Sequence, residues 1–188
     1  MDTMTTTRAD VIVREGPFTR AERDALPDDG RRHELLDGVL VMSPAPNVRH
    51  QDIVGRLYSL LFAQAPRACK VMIAPTDTTL GPTTVIEPDL LVGRRADFTE
   101  AGLPTAPLLA GEVLSPSTRL VDLGRKKELL AEAGCPSYWT IDPDGPELTV
   151  WELGEGQYVE AAQVGPDESW TATAPFAVTI APRDLLDE

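Results

Sequence analysis

Residues 108–142, LLAGEVLSPSTRLVDLGRKKELLAEAGCPSYWTID, contain the pattern that decides the fold. The apolar run 108–114 predicts a strand, and leucines at helical spacing predict a helix over about 117–133. Gly134 suits the C-terminal cap of this helix, and SYWTID predicts a further strand. A helix between two strands indicates an α/β or α+β fold with a mixed β-sheet flanked by helices.

The chain before this stretch adds a hairpin, a longer helix and several short strands. HELLDGVLVM (33–42) places Asp-Gly between two apolar runs, which predicts a hairpin with a type I′ turn. Apolar residues at helical spacing predict a helix over 47–64 that opens at Asn47. A short helix should follow Thr19, and strands are predicted at 71–73, 76–80 and 89–92. After residue 142 the sequence alternates as strands do, which predicts a C-terminal β extension.

Length and composition bound the class of protein. A chain of 188 residues with 42 % hydrophobic residues predicts one domain, which we place at 17–188 after a flexible N-terminus at 1–16. No apolar run is long enough for a membrane span, and the N-terminus lacks the apolar stretch of a secretory signal. We therefore expect a cytoplasmic protein. The two cysteines and two histidines show no paired zinc-ligand spacing, which favours small buried thiols.

The net charge of −13 argues against a protein that coats nucleic acid. The charge is unevenly distributed, however. Residues 142–188 hold 11 acids and one base, whereas residues 1–141 hold 19 acids and 16 bases. The body of the domain is therefore nearly balanced. We expect the acids of the C-terminal segment to lie away from any site that binds a phosphate.

Two carboxylates occupy strand positions where acids are uncommon. Asp89 directly precedes the apolar run LLVG, and Glu112 is embedded in LLAGEVLS. An acid among apolar neighbours needs a partner or a cation, and three converging acids, with Glu34 as the third, would suit Mg²⁺. Each acid also has a simpler interpretation, because a lone acid at a strand end is usually solvated or caps a loop.

Lys126 lies among leucines on the predicted helix 117–133, with Asp122 four residues before it. Burial would lower the pKa of this lysine and make a neutral amine accessible. The alternative is a side chain whose stem is buried and whose ammonium pairs with Asp122. We expect Lys126→Met to leave the fold intact or even more stable, because an apolar side chain of similar length replaces a partly buried charge. His50, in the first turn of the helix 47–64, is compatible with a structural role.

The segments HELLDGVLVMSPAP, VRHQ, PDLLV, EVLSPST and DLGRKKELLAEAGCPSYWTIDP resemble the large bacterial Uma-type family of restriction-endonuclease-like proteins. The resemblance runs from about residue 17 to the C-terminus. This family is similar to the PD-(D/E)XK nuclease superfamily, whose core is a mixed sheet flanked by helices. In that superfamily an acid and a lysine lie two residues apart on one strand. Here the residue two positions after Glu112 is Leu114, and the resemblance assigns the lysine to Lys126 on the next helix.

The resemblance implies a catalytic set of Asp89, Glu112, Lys126 and Glu34. Asp89 and Glu112, with the carbonyl of Val113, would hold Mg²⁺ or Mn²⁺, and the chain would hydrolyse phosphodiester bonds of nucleic acid, more readily DNA than RNA. If a Lys126 variant kept full activity, the catalytic lysine would be assigned to Lys127. Phosphate contacts are expected from arginines near these motifs, namely Arg31, Arg32, Arg49, Arg119 and Arg125. A homodimer is also implied, and the alternative is a catalytically silent binding or regulatory module that retains the fold.

Overall fold

The structure is a computed structural model that describes residues 9–27 and 29–186, and it confirms an α+β fold with mixed sheets. The helices of this part of the chain are α1 (Arg20–Asp24), α2 (Val48–Gln64), α3 (Arg119–Val121) and α4 (Lys127–Glu132). Its first strands are β1 (Asp10–Ile12), β2 (Arg32–Leu36), β3 (Val39–Ser43), β4 (Cys69–Ile73), β5 (Thr78–Gly81), β6 (Thr84–Ile86), β7 (Leu90–Arg94) and β8 (Leu109–Val113). The remaining strands are β9 (Ser137–Asp142), β10 (Glu147–Gly154), β11 (Gln157–Val164), β12 (Trp170–Ala172) and β13 (Val178–Ile180).

Two sheets carry the architecture. The larger sheet has the strand order β11-β10-β9-β8-β7-β4, in which β8 and β9 are parallel and the other neighbours are antiparallel. The parallel pair is the one that the helical crossover between 113 and 137 connects. The second sheet has the order β1-β3-β2-β6-β5, and β12 pairs with β13 in a small ribbon. The strands after residue 142 therefore form the predicted C-terminal β extension.

A hydrophobic core lies on each face of the larger sheet, because side chains alternate between the two faces along its strands. On one face, Leu109 and Trp139 pack with the apolar side of α2 and with the C-terminal ribbon. On the other face, Ala110 and Tyr138 pack with α4 and with the second sheet. Successive strand residues point to opposite faces, so Glu112, two residues after Ala110, points to the side of the second sheet.

The hairpin and the long helix confirm two predictions from local sequence. Asp37 and Gly38 have φ of 51° and 78°, the left-handed conformations that a type I′ turn requires. In α2 the side chain of Asn47 accepts a hydrogen bond from the backbone N–H of His50 at 2.9 Å, which caps the helix. The strands predicted at 76–80 and 89–92 are observed at β5 and β7, each displaced by one or two residues.

The helix predicted over 117–133 is interrupted. α3 is followed by a π-helical turn, Asp122–Lys126, in which Gly124 leaves the helical conformation at φ −107° and ψ −109°, and α4 begins only at Lys127. A π-helical turn places residues four apart close to one face, and Asp122 and Lys126 are both buried there. Both charged side chains of this interrupted region therefore point into the protein.

Two strands were not predicted. β6 pairs with β2 and β5 and completes the second sheet, and β1 pairs with β3 along its outer edge. Residues 1–8 of the N-terminus that we expected to be flexible lie outside the described residues. Within the described part of the chain, no helix combines the length and apolarity needed to cross a membrane.

Candidate metal centre

Asp89 and Glu112 lie opposite each other at the ends of two neighbouring strands. The antiparallel register of β7 and β8 pairs Leu90 with Gly111, and one further step places Asp89 opposite Glu112. The backbone N–H of Asp89 donates to Oε2 of Glu112 at 3.3 Å, and Oδ2 of Asp89 accepts from the backbone N–H of Val113 at 2.9 Å. The side chains thus continue the pairing of the strands where the regular backbone ladder ends.

Lys126 binds three carboxylates from three different elements. Its Nζ lies 2.8 Å from Oε1 of Glu112 on β8, 2.9 Å from Oε1 of Glu34 on β2 and 3.4 Å from Oδ1 of Asp122. The relative exposure of Lys126 is 0 %, and those of Glu34 and Glu112 are 1 % each. Glu34 also accepts a hydrogen bond from the backbone N–H of Glu87 at 2.7 Å, which fixes its carboxylate in the cluster.

Asp89 has a different set of partners. Its Oδ1 accepts a hydrogen bond from Nη1 of Arg32 at 2.7 Å, and its Oδ2 lies 3.0 Å from Nε2 of His50 on α2. Arg32 also donates to the backbone carbonyl of Glu87 at 3.2 Å, and its Nε lies 3.9 Å from Oε2 of Glu34. Arg32 therefore links the Asp89 side of the site to the Lys126 side.

Taken together, four buried carboxylates share two permanent cations. The acids are Glu34, Asp89, Glu112 and Asp122, and the cations are Arg32 and Lys126. Below, this set of six side chains is called the charge cluster. With every member ionised, the cluster would carry two uncompensated negative charges. A buried excess of that kind requires protons or a further cation.

The pKa shifts show how the charge cluster is balanced. Burial raises the pKa of Glu112 well above its ordinary value, with Lys126 opposing the shift and Asp89 adding to it. Burial likewise raises the pKa of Asp122. Burial alone would raise the pKa of Glu34 as well, but Lys126 and Arg32 outweigh it and lower that pKa. For Asp89 burial is outweighed by His50 and Arg32, so its pKa is also lowered. The pKa shifts therefore run in opposite directions within the charge cluster, upward at Glu112 and Asp122 and downward at Glu34 and Asp89.

Lys126 corrects one expectation from the sequence. Burial by itself would lower the pKa of this lysine, as the sequence suggested, but Glu112, Glu34 and Asp122 outweigh burial and raise the pKa. Lys126 is therefore an ammonium ion at neutral pH and not an accessible neutral amine. Of the alternatives considered above, pairing with Asp122 is observed, together with two partners that the sequence could not indicate.

A cavity of about 670 Å³ opens beside this cluster. Its wall includes Asp89 and Arg32, and the rest combines apolar residues such as Pro44, Val54 and Pro116 with polar ones, among them Arg31, Asn47, His50, Glu87, Ser115, Ser117 and Thr118. Glu34, Glu112 and Lys126 do not line it. Asp89, Glu112 and Lys126 are linked by direct contacts through Glu112, but only Asp89 of the three faces the cavity.

The oxygen atoms of the charge cluster are of the kind that a hard divalent cation binds, but they are not arranged around an open coordination site. Carboxylate oxygens are the ligands that Mg²⁺ and Mn²⁺ prefer, and the strand register places Asp89 opposite Glu112. Within residues 9–27 and 29–186, however, no three His, Cys, Asp or Glu side chains are arranged to hold a metal together. The oxygens point instead at Arg32 and Lys126, so an ion would have to replace some of these pairings.

The arginines expected to contact phosphates are distributed unevenly. Arg31 and Arg32 line the cavity. Arg49 donates to the backbone carbonyl of Pro143, and Arg119 binds Asp142 at 2.6 Å. Arg125 is bound by acids outside the cavity, namely Asp37, Glu128 and Glu132. The structure thus leaves Arg31 and Arg32 as the two of the five on the cavity wall.

Three side chains of the site were not assigned to it from sequence. His50 lies against Asp89, although its position on α2 suggested only a structural role. Glu87 lines the cavity and binds Arg23 at 2.6 Å, and burial raises its pKa to about 7. Asp122 completes the shell around Lys126. Two signals were usable, since the alternation Glu87–Asp89 places two acids on the same side of an extended segment and a spacing of four residues places Asp122 beside Lys126.

The acids of the C-terminal segment lie away from the cavity, as predicted. No residue after Thr118 contributes to the cavity wall in the part of the chain that the structure describes. Within β10, Leu148 and Val150 are fully buried, while Glu152 on the same strand is exposed. The strands of this segment therefore bury one face against the core and present their acids to solvent.

Comparison with known proteins gives a family and a fold. The profile of the family described as "Uma2: Putative restriction endonuclease" matches residues 20–183. The structure is similar to a crystal structure of "a putative nuclease belonging to DUF820" from Anabaena variabilis, with a TM-score of 0.75 and 21 % sequence identity. The match covers 90 % of this chain and 97 % of that chain, and at this identity it shows a shared fold. A search of curated proteins found no match.

Proposed function

The chain belongs to the Uma2 family, and from that premise we propose that it is a divalent-metal-dependent endonuclease that hydrolyses phosphodiester bonds of nucleic acid. The observation that carries the proposal is the charge cluster, in which four buried carboxylates share two cations beside a cavity that Asp89 and Arg32 line. A divalent cation supplies the two positive charges that the cluster lacks. DNA is proposed as the substrate in preference to RNA from the family description, and the homodimer remains an expectation from the resemblance.

The residues proposed to hold the ion are Asp89 and Glu112, with the carbonyl of Val113 and with Glu34 as a direct or water-bridged ligand. When bound, Mg²⁺ or Mn²⁺ would polarise a phosphate oxygen and lower the pKa of a water molecule for in-line attack. His50 and the N–H of Val113 hold the carboxylate of Asp89 in place at the cavity wall. Such contacts to a ligand's outer oxygens fix its orientation and tune its basicity.

Lys126 has the role of a fixed positive charge. Its ammonium holds Glu34 and Glu112 at 2.9 and 2.8 Å, so it sets the separation of the two acids. It would also offset negative charge that develops on a phosphate at Asp89. Arg31, Ser115 and Ser117 on the cavity wall are suited to bind neighbouring phosphates of the strand, which positions the substrate without reading its sequence.

The test is metal-dependent cleavage of supercoiled plasmid DNA by wild-type protein and by Glu112→Gln. We expect cleavage with Mg²⁺ or Mn²⁺, none with EDTA, and a loss of about 10²-fold or more in Glu112→Gln, because a ligand carboxylate is lost. The matched control is Glu152→Gln, the same chemical change at an exposed position of β10, which should cleave as the wild type does. Equal cleavage by Glu112→Gln and the control would remove Glu112 from the reaction.

A non-catalytic binding module is the second candidate, because every carboxylate of the charge cluster has a partner inside the protein. On this reading, Arg32 and Lys126 are permanent counter-ions and no metal enters. The two functions differ in Mn²⁺ binding measured by calorimetry. Mn²⁺ binding that is present in the wild type and absent in Asp89→Asn supports the nuclease. Identical titration curves for the wild type and Asp89→Asn support the binding module.

A further inference from the structure

Arg32 is the cation of the charge cluster that lines the cavity, beside Asp89. Its side chain is 19 % exposed, compared with 5 % for Asp89 and 0 % for Lys126. It lines the cavity, and its guanidinium holds Oδ1 of Asp89 at 2.7 Å while its Nε lies 3.9 Å from Oε2 of Glu34. An ion that bound Asp89 from the cavity would therefore lie beside Arg32.

Arg32 and a divalent ion compete for the same oxygen. An ion bound to Asp89 at the usual oxygen distance of about 2.0–2.6 Å would lie within a few ångströms of the guanidinium that binds that carboxylate. At about 4 Å, even two single charges repel by several kcal/mol at the effective dielectric of a partly buried site. Lys126 does not cause this conflict, because it is fully buried behind Glu34 and Glu112 and does not line the cavity.

The cavity offers Arg32 another partner. Arginine binds phosphate through two parallel hydrogen bonds, and its long side chain can turn without a change in the strand that carries it. A phosphate held by polar residues of the cavity wall, among them Arg31, Ser115 and Ser117, would offer the guanidinium of Arg32 a second anionic partner. A guanidinium drawn to that phosphate no longer neutralises Asp89.

We propose that Arg32 is a displaceable counter-cation, which closes the metal site in the free protein and is drawn off Asp89 by a substrate phosphate so that the divalent ion can bind. This inference rests on the proposed function and adds to it a coupling between phosphate binding and metal binding. Phosphate and metal each strengthen the binding of the other, since linkage between two ligands is reciprocal. Arg32 is thus a positioning residue that acts through Asp89.

The first experiment titrates Mn²⁺ alone into nucleic-acid-free wild type, Arg32→Gln and Arg94→Gln by calorimetry. Arg32→Gln should bind Mn²⁺ at least about tenfold more tightly, because a competing charge in contact with the ligand is gone. Arg94→Gln removes the same charge from a side chain that is 70 % exposed at the far end of β7, and its affinity should equal that of the wild type.

The second experiment measures the coupling, with sodium sulfate as a tetrahedral anion and sodium chloride at the same ionic strength as reference. Sulfate should tighten Mn²⁺ binding to the wild type by about threefold or more, because the anion holds Arg32 away from Asp89. Arg32→Gln should show only the slight weakening that ion pairing between Mn²⁺ and sulfate causes. Equal responses in the two proteins would show that the anion does not act through Arg32.

Asp89→Asn separates failure of this inference from failure of the proposed function. If Asp89→Asn abolishes Mn²⁺ binding while Arg32→Gln binds as the wild type does or more weakly, the metal site stands and the competition is refuted. If Asp89→Asn has no effect on Mn²⁺ binding, the metal site and the inference both fail. Should Arg32→Gln be unfolded without metal, Arg32→Met, which also removes the charge, is titrated instead, and an affinity equal to that of the wild type would refute the competition.

Discussion

At the scale of single residues, Lys126 is the side chain on which most of the buried acids depend. Its ammonium is bound by carboxylates from β2, from β8 and from the π-helical turn, and none of these groups has appreciable contact with water. Removing one partner of a buried ion pair is strongly destabilising, because the charges left behind are uncompensated. Lys126 is therefore structural as well as a candidate for the reaction.

We predict that Lys126→Met destabilises the protein by about 3–5 kcal/mol at neutral pH, measured as the free energy of unfolding in urea. The control is Lys127→Met, whose ammonium lies over the ring of Trp151 at the edge of the core, and which should cost about 1 kcal/mol or less. This reverses the expectation from sequence, in which a methionine was neutral or stabilising. A Lys126→Met protein as stable as the wild type would show that the acids around Lys126 are held neutral without it.

The candidate site was predictable from sequence as a set of residues, but not as a set of contacts. Asp89, Glu112 and Lys126 were conspicuous because charged side chains among apolar neighbours need partners. Their pairing depends on Glu34 of another sheet, which is 92 residues from Lys126. The contacts of Arg32 and His50 with Asp89 likewise span distant segments of the chain, and no local pattern encodes them.

At the scale of elements, the β2–β3 hairpin brings Glu34 and Arg32 to the site. Its turn needs glycine at position 38 for two reasons, a φ of 78° and the backbone that packs against it. A Cβ at this position would lie 2.3 Å from Cβ and 2.9 Å from Cα of Pro17. The turn is therefore closed against the segment that precedes α1.

Gly38→Ala should destabilise the protein by about 2–4 kcal/mol in urea unfolding, from the positive φ together with the clash against Pro17. Gly55→Ala is the matched control, because Gly55 lies inside α2 and an added Cβ there meets nothing within 4 Å. The free energy of unfolding of Gly55→Ala should rise by up to about 1 kcal/mol, because alanine has the higher helix propensity. An equal change in the free energy of unfolding in both variants would mean that Pro17 moves aside at little cost and that the turn tolerates alanine.

The elements that sequence predicted are those with a strong local signal. Asp-Gly between apolar runs predicted the hairpin, and apolar spacing after Asn47 predicted α2. The π-helical turn was missed because leucine spacing continues on both sides of it, and Gly124 alone gave little indication of an interruption. β6 was missed because Thr84–Ile86 is too short to show alternation, and its pairing with Leu35 is set by the tertiary fold.

At the scale of the whole molecule, the charge distribution fits a protein that must admit a polyanion despite a net charge of −13. The acidic segment after residue 142 forms β10 to β13 and stays off the cavity wall. Two of its acids lie near arginines at the border of the body, with Asp142 at 2.6 Å from Arg119 and Asp144 at 3.7 Å from Arg49. The overall charge therefore slows the approach of nucleic acid more than it weakens contacts inside the cavity.

The last prediction separates these two effects by removing acids from different places. Replacing Glu152, Glu155 and Glu160 by glutamine takes three negative charges from exposed positions of the C-terminal strands and their turn. At about 0.15 M salt the Debye length is about 8 Å, so affinity for a short fluorescein-labelled DNA duplex should change by less than about twofold in anisotropy titrations. At low salt the triple variant should gain more affinity for the duplex, because the exposed charges are then screened less.

Asp24→Asn is the comparison, since Asp24 lines the cavity and lies 3.3 and 3.2 Å from nitrogens of Arg20 and Arg23. This single change should strengthen DNA binding at about 0.15 M salt more than the triple change does, because it removes a local negative charge and leaves two arginines less neutralised. If the triple variant instead gains more at that salt concentration, the DNA runs along β10 and β11. The cavity beside Asp89 would then not be the site where the phosphate backbone binds.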